Sequence, residues 1–317
     1  MKVFDLRTRA DILSLPERTV VAVGNFDGVH IGHQTLFAES RAYRDAHPGT
    51  AAAVWTFDRH PRACDVPLLT LPQERMALFA MYGMDYAVTA DFDAVRDLLP
   101  REFVQGILHD ALHCAAVICG FNFRFGKNGA GNADMLADLA EECGMACRVV
   151  GDVMLDSQTV SSTRIRALLQ QGRPDEAARY LGRPFAFSLS VRHGQQLGRK
   201  MGLPTFNQSV PPGIVCPAHG VYLTRCSFSD ANGDRLCYGV TNLGVRPTVD
   251  GSEVVCETHL PDYSGDLYGR SVRVSFLQYL RPEIKFSSLE ELQCAIRHDI
   301  DLCRARIAAM GGSSGLI

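Results

Sequence analysis

For about its first 180 residues this chain alternates apolar, strand-like runs with helix-patterned stretches, and then it stops doing so. Val20–Val23, Ala51–Phe57, Tyr86–Thr89, Ala115–Cys119 and Ala146–Val150 read as strands. Gln73–Tyr82, Pro100–Leu108 and Asp134–Cys143 read as helices between them. Strands joined through helices need crossover connections, and those build a parallel sheet covered on both faces. The texture changes near Gly182-Arg183-Pro184-Phe185. Ser188–Val191, Gly220–Ser227, Leu236–Leu243, Val254–His259 and Ser271–Tyr279 are short runs with Gly, Pro, Asn and Asp between them, the spacing of an antiparallel barrel or sandwich. A last helix runs from about Ser288 to Met310, with Ser287 or Ser288 to cap it and Glu290 and Glu291 in its first turn. The segment Gly311-Gly-Ser-Ser-Gly reads as a disordered tail.

The 317 residues suit two domains. The expected architecture is α/β followed by β: a doubly wound parallel-sheet domain over 1–182, then a small antiparallel β-barrel domain with a C-terminal helix over 183–317. A net charge of −3 argues against a broad nucleic-acid footprint, so an anionic ligand must be held locally. The start carries no apolar signal core, and no run is long enough to span a bilayer. Eleven cysteines, scattered and without a C-x-x-C, point to a cytoplasmic protein with reduced thiols. No nucleic-acid or membrane partner is expected, and the assembly expected is a monomer or a weak homo-oligomer.

Three segments of the first half carry residues suited to anions. In Gly24-Asn25-Phe26-Asp27-Gly28-Val29-His30-Ile31-Gly32-His33 a β-branched run ends at a glycine and a helix can begin. Two imidazoles three positions apart would sit beside the unpaired N–H groups of that helix start, a place to hold phosphate. Gly120 to Gly131 follows a predicted strand, and its glycines let backbone approach a nucleotide. Val160-Ser161-Ser162-Thr163-Arg164-Ile165-Arg166 opens a helix whose hydroxyls, N–H groups and arginine fork make a second anion cup. Each segment taken alone has a plain structural reading; their combination, in order, in one βα-type half raises the functional one. No G-x-x-x-x-G-K-[ST] and no G-x-G-x-x-G is present.

In the second half, a glycine-dense turn through Gly198 leads into Gly202-Leu203-Pro204-Thr205-Phe206-Asn207. Its amides suit phosphate oxygens, and the Thr205 hydroxyl and Asn207 amide oxygen are hard ligands fit for Mg²⁺. Glu257 lies in an apolar strand-like run, where a carboxylate could take a proton from an attacking hydroxyl or simply face outward.

The 24–33 segment resembles the nucleotidyltransferase signature of the bacterial bifunctional riboflavin kinase/FAD synthetases. Phe57-Asp58-Arg59-His60-Pro61 resembles that family's F-D-P-H-P loop, with Arg59 where proline is usual. Gly120–Gly126 resembles its glycine-aromatic loop, Val160–Arg166 its S-S-T-x-I-R segment, and Gly202–Asn207 its G-x-P-T-x-N kinase motif. Gly239–Thr248, Glu257–Leu260, Asp266–Gly269 and Leu280–Phe286 match in kind and order, so the likeness spans Val20 to about Arg306.

By that resemblance, the first half would transfer AMP from ATP to FMN, giving FAD and pyrophosphate. His30 and His33 would stabilise the transition state. Gly24, Asn25, Phe26, Asp27, Asn122, Gly126, Ser162, Thr163 and Arg166 would bind the nucleotide, and Phe57, His60 and Pro61 the flavin. The second half would phosphorylate riboflavin from ATP. Glu257 would be its base, Thr205 and Asn207 its Mg²⁺ ligands, Gly198, Gly202 and Pro204 its nucleotide contacts, and Arg281 and Phe286 its flavin border. The partners implied are riboflavin, FMN and ATP. Two alternatives stay open at this point: a nucleotidyltransferase with another phosphorylated acceptor, and a flavin- or nucleotide-binding protein that has lost one activity.

Overall fold

The structure, a computed structural model, describes residues 1–6, 18–57, 66–193, 202–248 and 251–310. By packing, the chain divides into two compact units, Met1–Ser162 and Thr163–Ile317. The glycine tail and residues 58–61 and 198 of the motifs lie outside the described residues.

The first unit is a six-stranded sheet in the order β1-β4-β3-β2-β5-β6, with every neighbouring pair parallel. Its strands are β1 (Lys2–Leu6), β2 (Arg18–Val23), β3 (Thr50–Phe57), β4 (Tyr86–Ala90), β5 (Cys114–Gly120) and β6 (Ala146–Val150). Between them run α1 (Ile31–Ala46), α2 (Pro72–Met81), α3 (Phe92–Val95), α4 (Pro100–Glu102) and α5 (Ala133–Glu142). Alternate residues of β2 feed opposite faces: Val21 and Val23 join one core cluster with Trp55 and Val117, while Val20 and Ala22 join another with Phe37 and Phe79. Both faces are therefore dry, the burial a wound parallel sheet needs. After β2 the chain builds β3 and β4 on one side, then crosses to build β5 and β6 on the other. The switch point lies between β2 and β5, where ligands of such sheets bind beyond the strand ends.

One expected helix differs in form. Pro100–Leu108 is α-helical only over α4; Phe103–Ala111 continues with wider π-type turns. The wide turns keep Phe103, Val104, Ile107, Leu108 and Ala111 facing the core. A small hairpin, β7 (Met154–Leu155) with β8 (Gln158–Thr159), precedes α6 (Ser162–Gln170).

The second unit is antiparallel throughout, in the order β10-β13-β12-β11-β14-β9. Its elements are α7 (Pro174–Leu181), β9 (Phe185–Ser190), β10 (Thr205–Ser209), β11 (Gly220–Asp230), β12 (Gly233–Thr248), β13 (Gly251–His259), β14 (Ser271–Arg281) and α8 (Leu289–Ala309). The sheet curls until its ends meet: Arg192 N–H donates to the Asn207 carbonyl at 2.8 Å. Gln208 on β10 is wholly buried, and its Nε2 donates to the carbonyls of Leu189 (2.5 Å) and Val272 (2.8 Å), sealing the seam. Phe185, Phe187, Tyr222 and Phe276 pack inside. A buried hydroxyl ladder crosses three strands, Thr224 to Thr241 at 2.7 Å and Thr241 to Thr258 at 2.8 Å. Outside, α8 lays Ile296, Ile300 and Cys303 against Val221, Leu223 and Val240. Ser288 caps it by accepting from Glu291 N–H at 3.2 Å.

Candidate active sites

The loop leaving β2 carries two strained backbone positions. Phe26 and Val29 sit at φ of +52° and +44°, a region unfavourable for an aromatic or a β-branched residue. Burial over-determines both: Phe26 and Val29 lie in the core with Phe37 and Phe79. Phe26 folds its ring over Gly24, where a Cβ would meet it at 3.0 Å, and presents its edge to His33 at 5.2 Å. Its side chain thus backs the histidine from the core. Asp27 is buried as well; its carboxylate accepts from the N–H groups of Leu69 (2.9 Å) and Thr70 (3.2 Å). The Asn25 carbonyl accepts from Thr56 Oγ1 at 3.0 Å and from the buried Arg75 at 3.2 Å. Arg75 also donates to the Phe57 carbonyl, so one guanidinium ties the ends of neighbouring strands β2 and β3.

His30 is the N-cap of α1, and its Nδ1 accepts from His33 N–H at 3.3 Å. That bond places the ring proton on Nε2, as a donor. The two imidazoles stack, centroids 3.5 Å apart and planes 19° from parallel. Gly32 permits it: a Cβ there would meet the His30 ring at 3.2 Å. Imidazole donors and helix N–H groups therefore share one short stretch, an arrangement that favours an oxyanion. Ser162, first residue of α6, donates its hydroxyl to the Asp27 carbonyl at 2.8 Å. Thr163 and Arg166 follow on the same helix, whereas Arg164 lies over the Tyr180 ring at 5.0 Å.

The segment after β5 is ordered. Phe125 and Gly131 form an antiparallel bridge, and a Cβ on Gly131 would meet the Phe125 ring at 2.5 Å. Gly126 has φ +72° against Pro100. Asn122 is exposed beside Gly120, with its Oδ1 3.4 Å from where a Cβ of that glycine would stand. Because β3, β2 and β5 are adjacent and parallel, the segments holding Phe57, Gly24–His33 and Asn122–Gly126 leave one edge of the sheet side by side.

In the second unit, register assembles the site. Asn207 on β10 pairs with Glu257 on β13, which pairs with Asn242 on β12, placing three polar side chains in one row on one face. Thr205 donates its hydroxyl to Glu257 Oε1 at 2.7 Å. Arg246 Nη2 reaches across β13 to Asn207 Oδ1 at 3.0 Å. His259, paired with Thr205, bonds through Nδ1 to the Pro204 carbonyl at 2.8 Å and fixes the turn into β10. Helix α8 covers this same face of the sheet at Val221, Leu223 and Val240, leaving the β13–β10 side to the polar row. Gly202 has φ +71° with nothing near its Cβ position.

The FAD synthetase family profile matches residues 13–164 and the riboflavin kinase profile residues 181–307. The chain is 38% identical over 295 residues to the bifunctional riboflavin kinase/FMN adenylyltransferase of Pseudomonas fluorescens, covering 91% of this chain and 93% of that protein. It belongs to the bifunctional riboflavin kinase/FMN adenylyltransferase family. The Escherichia coli (strain K12) relative of the same description is 33% identical over 289 residues, covering 89% of this chain and 91% of that one. A crystal structure described as a macrolide-efflux protein from Streptococcus pneumoniae matches with a TM-score of 0.84 and 28% identity, over 95% of this chain and 98% of that chain. Among the described residues no helix is long and apolar enough to cross a membrane.

In the second unit, Arg281 forks onto Asp299 of α8 at 2.9 and 2.7 Å, donates to the Pro282 carbonyl at 3.1 Å and lies 5.9 Å from the Phe286 ring centroid. It organises the segment at the candidate flavin border and ties it to the last helix. Glu283 of that segment accepts from Asn242 Nδ2 at 3.2 Å and covers Gly244, where a Cβ would lie 2.0 Å from its carboxylate. Arg75, Asn242, Arg246, Glu283 and Asp299 were not singled out from sequence. Asn242 and Arg246 lie within the segment Gly239–Thr248, but their partners are set by strand pairing, which spacing does not give.

Proposed function

We propose the following residue roles for the two reactions of this family. The enzyme phosphorylates riboflavin with ATP to give FMN, then adenylylates FMN with ATP to give FAD and pyrophosphate. A functional boundary near Gly182–Arg183 separates the two tasks, 1–182 for adenylyl transfer and 183–317 for the kinase.

In adenylyl transfer, an FMN phosphate oxygen attacks the α-phosphorus of ATP and the bond to the departing pyrophosphate breaks. His30 Nε2–H, His33 and the first N–H groups of α1 meet the charge that builds on the α-phosphate oxygens. Ser162, Thr163 and Arg166 hold the triphosphate at the α6 start, and Asn122 and Gly126 border the nucleotide. Phe57, with His60 and Pro61 beyond the described residues, borders the flavin.

In the kinase step, Glu257 takes the proton of the ribityl 5′-hydroxyl as its oxygen bonds to the γ-phosphorus and ADP leaves with the β,γ-bridging electron pair. The hydrogen bond from Thr205 keeps Glu257 oriented. The donor set fits Mg²⁺: Thr205 Oγ1 and Asn207 Oδ1 are hard oxygens, and Asn207 Oδ1 already faces a cation in Arg246. Held there by Thr205 and Asn207, Mg²⁺ would supply charge neutralisation for the triphosphate. Gly198, Gly202 and Pro204 lie along the nucleotide, Arg281 and Phe286 along the flavin. A cytoplasmic setting suits the ten described cysteines, all free thiols.

The observation that carries the reading is the Asn207–Glu257–Asn242 row with Thr205 bonded to Glu257, in a unit separate from the stacked histidines. Two variants test it, with products followed by chromatography. His33→Ala should stop at FMN, and Glu257→Gln should make no FMN yet convert supplied FMN to FAD. Equal loss of both steps in either variant overturns the assignment.

A further inference from the structure

The Arg246 guanidinium crosses a whole strand to reach the amide oxygen assigned above to the metal. It starts on β12, passes over β13 and donates Nη2 to Asn207 Oδ1 at 3.0 Å. Positions 242, 244 and 246 share one face of β12, so Arg246 lies on the face that carries Asn242 and Glu257. A second arginine stands nearby: Arg192 donates its N–H to the Asn207 carbonyl at 2.8 Å, and its Nη1 lies 3.4 Å from Ser209 Oγ and 3.9 Å from Glu253. Arg246 is paired in register with Glu253. Two cations thus flank the strand that presents Thr205 and Asn207.

A divalent ion ligated by Asn207 Oδ1 at about 2.1 Å would share that oxygen with the guanidinium. Two positive groups on one amide oxygen repel unless an anion lies between them. The triphosphate of ATP is that anion, and a planar fork is the group best matched to its terminal oxygens. We propose that Arg246 is a γ-phosphate residue of the riboflavin kinase reaction: its guanidinium turns from Asn207 Oδ1 onto the γ-phosphate oxygens when ATP and its metal bind. The proposal rests on the roles given above to Thr205, Asn207 and Glu257. The motion is short, because the guanidinium already lies over the face where transfer occurs. During transfer it follows the γ-phosphoryl group and neutralises charge on its equatorial oxygens.

Arg246→Met and Arg246→Lys, made in the full chain, test the assignment. For Arg246→Met, kcat/KM for ATP in FMN formation should fall at least 100-fold, with the KM for riboflavin within twofold of wild type. Arg246→Lys should recover about tenfold of that loss. FAD formation from supplied FMN reports the other site in the same samples. The magnesium concentration at half-maximal kinase rate should stay level or fall, since a competing cation is gone; a residue that only braced Asn207 would raise it when removed. A binding measurement is independent of turnover. In calorimetry with Mg²⁺, wild type should take up two equivalents of β,γ-imido-ATP, and Arg246→Met should weaken one of them at least tenfold while binding ADP as wild type does. Equal weakening of both nucleotides, or kcat/KM for ATP within threefold of wild type, overturns the proposal. If Arg246→Met loses the melting transition of the second unit, Arg246→Lys carries the test, with a drop of tenfold or more expected. Glu257→Gln separates the levels: if it still makes FMN, the site reading itself fails, whatever Arg246 does.

Discussion

Gly32 gives His30 the room to lie against His33: a methyl group on Gly32 would meet the His30 ring at 3.2 Å, tighter than ordinary contact. The stacked pair, 3.5 Å between centroids, depends on that missing carbon. Gly32→Ala should therefore change stability by no more than ~1 kcal/mol, because alanine's better helix propensity is offset by disturbance of the His30 cap. It should cut FAD formation about tenfold by displacing the imidazole. Thermal melting and product chromatography check the pair of outcomes; an alanine variant that makes FAD at the wild-type rate would show that the stacking is incidental.

Asp299 should matter twice. Its carboxylate is almost wholly buried and takes the Arg281 fork, whose side chain is 21% exposed. Asp299→Ala should cost about 2–3 kcal/mol, less than a fully buried pair because Arg281 keeps some contact with water. It should also raise the KM for riboflavin, since Arg281 orders Pro282 and Phe286. The double variant Arg281→Met, Asp299→Leu should recover stability without recovering riboflavin affinity. Chemical denaturation and kinase kinetics read the two effects separately.

Thr241 is the centre of the buried hydroxyl ladder, bonded to Thr224 and Thr258. Thr241→Val keeps the shape and removes the link, costing the buried Thr258 hydroxyl its close partner and Thr224 one of its two. A loss of about 1–3 kcal/mol is expected in denaturant unfolding. Little change would mean that the neighbours re-pair; Thr224 already donates to the Gly239 carbonyl at 3.1 Å.

Thiol labelling should be selective. Burial pushes Cys114, Cys256 and Cys303 up to about 12, so at pH 8 only roughly one thiol in ten thousand at each is ionised. Cys294 is exposed on α8. Iodoacetamide at pH 8 should modify Cys294 in the folded protein, by peptide mass spectrometry, and reach the three buried thiols only on unfolding.

The alternation of strand and helix up to residue 180 was enough to read five of the six parallel strands, because a sheet covered on both faces needs unbroken apolar runs. β1 escaped: Lys2-Val-Phe-Asp-Leu6 is an edge strand with charged positions, and little in it is buried. β10 escaped for the opposite reason. Its buried positions include Asn207 and Gln208, polar residues that a hydrophobicity pattern assigns to a loop. Ser162 and the histidines were visible because helix starts are local. The Arg246–Asn207 bond and the Arg281–Asp299 pair join residues 39 and 18 positions apart through folding alone, and no spacing rule gives them.

The Gln208 seal has a consequence for how this barrel fails. One border of β10 is zipped to β13 over five register pairs, but among the described residues the other is fastened by a single backbone bridge, the Gln208 amide and the contact of Arg192 with Ser209. Heat or denaturant should therefore peel the structure from that side. The strand that lifts away first is the one bearing Thr205 and Asn207, so the hydroxyl and amide proposed above as metal ligands should part from Glu257 while most of the sheet is still intact.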